Sequence, residues 1–237
     1  MELAVRAAAA ASWSSGALVQ LPRARAPLRL LGHRRLPARR VAVEAAAIAV
    51  EPFQMAQDYF QSVAGGVLLD VSCGSGLFTR KFAKSGSYSA VIALDFSENM
   101  LCQCYEFIQQ DDTLVNTNLA LVRADISRLP FASSSIDAIH AGAAIHCWPS
   151  PSNAVAEISR VLRPGGVFVA TTFLSSPRNN PFSVEALRPL RQIVGPVNTS
   201  YNYFTEGELE DLCKSCGLVN YSSKVQRSFI MFSGQKP

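Results

Sequence analysis

With 237 residues, 49% of them apolar, the chain can bury the core of one α/β domain, and its composition excludes global disorder. Its formal charge of +4 is unevenly spread, because residues 1–40 hold eight of the 22 basic side chains and a single acid, Glu2. The remaining 14 basic and 17 acidic groups leave a mildly acidic body, which argues against a nucleic-acid partner.

Residues 1–47 are Ala-, Arg- and Pro-rich, nearly free of acid, and lack the apolar block of a secretory signal. This pattern reads as a disordered organelle transit peptide. Pro22, Pro27 and Pro37 would break a long amphipathic helix, which favours a chloroplast over a mitochondrion. From 51 to 237 the composition is that of a folded domain. Met55, Tyr59, Phe60 and Val63 have helical spacing over Gln54–Val63. Strands then alternate with helices: Val67–Leu69, helix Gly76–Ser85, Val91–Leu94, helix Glu98–Gln109 capped by Ser97, Ala120–Arg123, and Ile136–Ala141. A helix over Ser152–Leu162 is stopped by Pro164-Gly165-Gly166, and Val167–Thr172 is the fifth strand. Thr205 and Glu208 form a capping-box start for a helix over Glu206–Ser215. Leu218–Lys224 and Ser228–Ser233 follow with no helix between them, as in an antiparallel hairpin. The order predicts a doubly wound α/β sheet, mostly parallel, with an antiparallel C-terminal hairpin. No apolar run approaches the ~18–20 residues that cross a bilayer. The six scattered cysteines suit a reducing compartment better than a disulfide framework.

The chemistry concentrates at VLLDVSCGSG, Val67–Gly76. A short strand ends in Asp70, and a Ser/Gly turn with Gly74 and Gly76 leads into a helix. Glycines there let backbone N–H groups approach a ligand, as in nucleotide-like cofactor sites. Asp95 and Asp125 lie just past the next two strands, and ligands of open α/β sheets bind outside the carboxyl ends of strands. Asp95 is nineteen residues past Gly76, where a carboxylate can accept from ribose hydroxyls.

Five motifs occur in order: LLDVSCGSG, VIALDFSENML, VRADISRLPF, SIDAIHAGAAIHCW and AVAEISRVLRPGGVFVATTF. Together they resemble class I S-adenosylmethionine-dependent methyltransferases of the type 11 group, densely from Gly65 to Phe173. The HCWPSP segment is similar to plant plastid-targeted members of that group. The resemblance implies a Rossmann-like sheet of seven strands, S-adenosylmethionine as cofactor, and no metal. It implies that Asp70 and the Ser72, Gly74 and Gly76 turn hold the methionine moiety. Asp95 would take the ribose, with Phe96 and Met100 near the adenine and Asp125 and Ile126 at its edge. The segment Ala141–Trp148 would lie between cofactor and acceptor.

Two departures from that pattern stand out. Ser72 replaces the first glycine of the turn, which is tolerated where its φ is negative. Only about fifteen residues separate the leader from Gly65, so the helices that lid the cofactor look shortened, which predicts weak cofactor binding. On the acceptor side His146 is the candidate general base, weighed against a loop-structuring histidine. His140 reads as core. Trp148 reads equally as acceptor wall or core. Arg178, Arg188 and Arg191 could face an acidic acceptor but read more simply as a solvated face. Cys213 and Cys216 have half the spacing of a zinc site and lack the other two ligands.

The acceptor expected is a small molecule, a plastid lipid or quinone, with peripheral association to a membrane or to a lipid body such as a plastoglobule. A non-catalytic binding protein of the same fold is the alternative. An NAD(P)-dependent oxidoreductase is less favoured, because Thr79 stands where G-x-G-x-x-G needs its third glycine.

Overall fold

The computed structural model describes residues 52–175 and 202–237. The leader expected at 1–47, and Arg178, Arg188 and Arg191, lie outside them. A helix over 52–59 (α1) and a single turn at Gln61–Val63 precede the sheet. Then come β1 (Val67–Val71), α2 (Leu77–Ser85), β2 (Ala90–Asp95), α3 (Glu98–Gln109), β3 (Leu119–Arg123) and β4 (Ile136–Ala141). They are followed by α4 (Pro151–Val161), β5 (Leu162–Phe173), α5 (Glu206–Ser215), β6 (Val219–Gln226) and β7 (Phe229–Gln235). The seven strands form one sheet in the order β3-β2-β1-β4-β5-β7-β6. β1 to β5 pair in parallel, and β7 pairs antiparallel to both β5 and β6. The mostly parallel α/β sheet with an antiparallel end expected from the element order, and the seven strands of the Rossmann-like fold that the resemblance implied, are therefore present.

Local chemistry sets the element ends. Ser97 caps α3 by accepting the Met100 N–H. Thr205 and Glu208 close a full capping box at α5, each side chain accepting from the other's backbone N–H. One boundary differs from expectation. Pro164-Gly165-Gly166 does not separate helix from strand, because α4 already ends at Val161 and Leu162 pairs with Ile136. The cluster instead forms an irregularity within β5. Gly165 adopts φ +78°, and the chain there exchanges hydrogen bonds with Lys236.

The alternation of β1 and β4 sends side chains to two cores. Leu69, Val71, Ile139 and Ala141 face one, built with α4 and α5. Leu68 and Ala138 face the other, built with Phe60, Phe82 and α1. The residues before β1 pack on this second face, with the Phe53 and Phe60 rings 5.2 and 6.1 Å from Phe82. At the start of β1, Asp137 of β4 accepts the Val67 N–H at 2.6 Å and pairs with Arg163. The sheet order reverses between β1 and β4, so their carboxyl ends flank a crevice where such sheets bind ligands.

Candidate active site

β1 delivers Asp70 to the mouth of that crevice, but the carboxylate turns inward. Period-two alternation puts Asp70 on the face of Leu68, beneath α2. It is 2% exposed. Thr79 Oγ1 donates to Oδ2 at 2.5 Å, and His140 Nδ1 lies 2.8 Å from Oδ1. The register that pairs Asp70 with His140 sets the second contact. His140 is fully buried between the rings of Phe78 and Phe82, and its Nε2 has no hydrogen-bond partner among the described residues. Asp70 thus ties β1, α2 and β4 together beneath the turn instead of presenting an open carboxylate. Thr79, noted in the sequence only for not being glycine, is its partner.

The turn itself is left-handed at three positions. Ser72, Gly74 and Gly76 have φ values of +53°, +56° and +78°. The negative φ that would ease a serine at 72 is not what the chain adopts. A non-glycine residue held there costs roughly 1–3 kcal/mol. Its hydroxyl is engaged, accepting the Trp148 indole N–H at 3.0 Å. A Cβ at Gly74 would meet nothing within 4 Å, so its surface is open, whereas one at Gly76 would overlap Cys104 Sγ. Cys104 in turn hydrogen-bonds Cys73, and this contact, with burial, pushes the Cys73 thiol far up.

Asp95 closes the turn from β2. Its Oδ2 accepts the Gly74 N–H at 2.9 Å, and its Oδ1 accepts the Ser97 N–H at 2.8 Å. Phe96 beside it is 70% exposed, and Met100 on the first turn of α3 is half-buried. Beyond β3, Asp125 is exposed and accepts the Ser127 N–H, while Ile126 points into the first core. This loop is held from α4. Arg160 donates to the carbonyls of Leu129 and Phe131, and Glu157 accepts the Leu129 N–H while pairing with Arg160. The Arg160 hydrogen bond keeps the Glu157 carboxyl below its usual range. The sequence reading did not anticipate this clamp, whose only trace is an i, i+3 acid–base pair.

On the far side of the crevice, the segment after β4 carries another left-handed residue, Ala143 at φ +50°, whose N–H donates to Thr171 Oγ1 at 2.8 Å. His146 Nδ1 lies 3.1 Å from Thr172 Oγ1, and its ring stands edge-to-face 5.9 Å from Phe173. Burial lowers the His146 pKa, which favours a neutral imidazole at pH 7. Phe173 is 47% exposed and packs against Phe229. Trp148 is 4% exposed within the first core, so core packing rather than an open wall describes it. Cys213 is buried and pushed up to about 12, and Cys216 sits near the Ser152 carbonyl.

The segment that carries the turn at the switch point, Asp70, Asp95 and Asp125 lies within a stretch similar to known proteins. Residues 69–170 match the methyltransferase domain family. The chain is 60% identical over 188 residues, and 57% over 187, to two uncharacterized chloroplastic methyltransferases of Arabidopsis thaliana. These matches take in 79% and 78% of this chain but 52% of each relative, so the chain spans about half their length. A demethylmenaquinone methyltransferase of Staphylococcus haemolyticus is 37% identical over 106 residues, which is 44% of this chain and 42% of that protein. Among solved structures, a phosphoethanolamine N-methyltransferase of Haemonchus contortus in complex with S-adenosyl-L-methionine shares the fold. Its TM-score is 0.63 at 16% identity, over 79% of this chain and 53% of that one. The YcgJ protein of Bacillus subtilis shares it at a TM-score of 0.61 and 17% identity, over 77% and 96%. The motifs, the matched domain and the sheet agree: residues 69–170 match the methyltransferase domain, and the chain is similar to methyltransferases over the part of their length that it spans.

Proposed function

We propose that this chain transfers a methyl group from S-adenosylmethionine to a small apolar acceptor in the chloroplast. The observation that carries the reading is the open Gly74 surface at the β1/β4 switch point, with the Asp95 carboxylate closing the turn behind it. That arrangement fits the cofactor: glycine backbone for the methionine moiety, Asp95 for the ribose, exposed Phe96 and half-buried Met100 for the adenine, and Asp125 with Ile126 at its edge. Asp70 acts from below, holding the turn through Thr79 and His140 rather than by open contact. The bound cofactor supplies a methyl already activated on a sulfonium.

The protein's part is alignment, which can supply up to about 7–11 kcal/mol. His146 is the base in this reading. Thr172 holds its Nδ1 side, and burial favours the neutral form that can accept a proton near pH 7. The aromatic edge of Phe173 and Phe229 beside it favours a flat apolar acceptor, a quinone or plastid lipid, and the demethylmenaquinone methyltransferase similarity points the same way. The transit-like leader and the two chloroplastic relatives support the location. No helix among the described residues is long and apolar enough to cross a membrane, and peripheral contact with a membrane or plastoglobule would bring such an acceptor within reach.

Two measurements on the full chain test this. Calorimetric titration with S-adenosylhomocysteine is expected to show one saturable site. Incubation with methyl-labelled S-adenosylmethionine and a plastid extract is expected to yield a labelled organic-soluble product, absent with His146→Ala. Binding with no labelled product identifies a non-catalytic binding protein instead, and purification with bound NAD(P) identifies an oxidoreductase.

A further inference from the structure

The segment bearing His146 is fixed at three described points. The Ala143 N–H donates to Thr171 Oγ1. Asn202 spans the short turn Ile145–Cys147, its N–H donating to the His146 carbonyl and its Nδ2 to the Trp148 carbonyl, both at 2.7 Å. The third point is the Trp148 indole N–H on Ser72 Oγ, 76 residues away in sequence. Only this last contact reaches the glycine turn. Ser72 occupies a left-handed conformation that glycine would adopt without strain, and what serine adds there is the hydroxyl that Trp148 uses. Ser72 also sits directly before Cys73, whose N–H donates to the Leu94 carbonyl next to Asp95. A ligand that settles the turn therefore settles Ser72 Oγ, and with it the buried indole.

We propose that the Ser72–Trp148 hydrogen bond is the link through which cofactor binding places the His146 segment. Ser72 and Trp148 are positioning residues in this scheme. Linkage makes the effect reciprocal: whatever holds the His146 segment also tightens the cofactor. The inference rests on reading the turn as the S-adenosylmethionine site.

Trp13 and Trp148 are the chain's two tryptophans, so the full chain with Trp13→Phe reports Trp148 alone. Titration with S-adenosylhomocysteine, followed by both calorimetry and tryptophan emission, is expected to give a saturable emission shift at the calorimetric Kd. Ser72→Gly is expected to abolish most of that shift. Ser72→Gly and Trp148→Phe should each weaken S-adenosylhomocysteine binding about three- to tenfold, the worth of one hydrogen bond, and the double variant no further. Trp148→Phe keeps the buried ring and carries the affinity arm independently of how Ser72→Gly folds. Affinity within twofold of the parent in either single variant, an emission shift that survives Ser72→Gly, or effects that multiply in the double variant would overturn the link. A lowered melting temperature at unchanged affinity would reduce the contact to packing. No calorimetric binding in the Trp13→Phe chain would overturn the cofactor reading, and this inference with it.

Discussion

Asp70 and His140 face each other across neighbouring parallel strands, joined at 2.8 Å and almost wholly shielded from water. With Thr79 on the other carboxylate oxygen, they form a polar knot beneath the turn that would receive the cofactor. His140→Phe keeps a ring against Phe78 and Phe82 but removes the donor. We expect a loss of about 2–3 kcal/mol in denaturant unfolding, the cost of leaving a buried acceptor without its partner. A loss under about 0.5 kcal/mol would mean that Thr79 alone satisfies the carboxylate.

Gly74 and Gly76 are both left-handed yet differ in surroundings, so alanine separates binding from stability. At Gly74 the added Cβ enters open space, and the expected outcome is about 1 kcal/mol of backbone strain with a much larger loss of S-adenosylhomocysteine affinity. At Gly76 it overlaps Cys104 Sγ, and destabilisation of about 2–4 kcal/mol is expected, partly relieved by Cys104→Ala. Thermal melts and calorimetry read the two effects; equal behaviour at both positions would contradict the geometry.

Asp95 accepts from two backbone N–H groups that shape the turn. Asp95→Ala is expected to weaken S-adenosylhomocysteine binding about 10- to 100-fold, the range of a charge-assisted hydrogen bond. Asp95→Asn should fall between it and the parent, because the amide retains one acceptor oxygen. Calorimetric Kd values that rank otherwise would remove Asp95 from the site.

His146 has its pKa lowered by burial, so the folded protein resists protonating it. The neutral base is therefore present at pH 7, and the acid limb of methyl transfer should fall below pH ~6.5, the ordinary histidine value. Stability has the same sign: as pH falls below ~6.5 the unfolded chain takes up a proton that the folded site does not, and folding weakens. His146→Gln should remove the limb from the pH–rate profile. Its persistence would place the base elsewhere.

Glu157 and Arg160 hold the segment that carries Asp125 and Ile126. The Glu157 carboxyl lies below its usual range, so its contribution is present above the unfolded pKa of ~4.3 and is lost as pH falls through the folded value. Glu157→Gln should flatten the decline of melting temperature between neutral pH and about pH 4. An unchanged slope would show the pair to be energetically silent, as many half-exposed ion pairs are.

Element order, the α3 and α5 boundaries and their caps were legible because each rests on local chemistry: Ser97 one residue before a helical period, Thr205 three before Glu208, and short apolar runs between breakers. From those, the parallel sheet, its antiparallel end and the positions of Asp70, Asp95 and Asp125 near the carboxyl ends of successive strands follow. Direction and company did not follow. The β1–β4 register is what sets Asp70 opposite His140, and the left-handed Ser72 accepts from an indole 76 residues away. Pro164-Gly165-Gly166 reads locally as a stop, yet Ile136 draws Leu162 into the sheet before it. The glycine turn and its acids were thus determined by the sequence alone, since a strand–turn–helix unit and its spacing are local. Which of those acids stays open to the crevice and which braces the floor was decided only by tertiary structure, because strand pairing, not spacing, selects each side chain's neighbours.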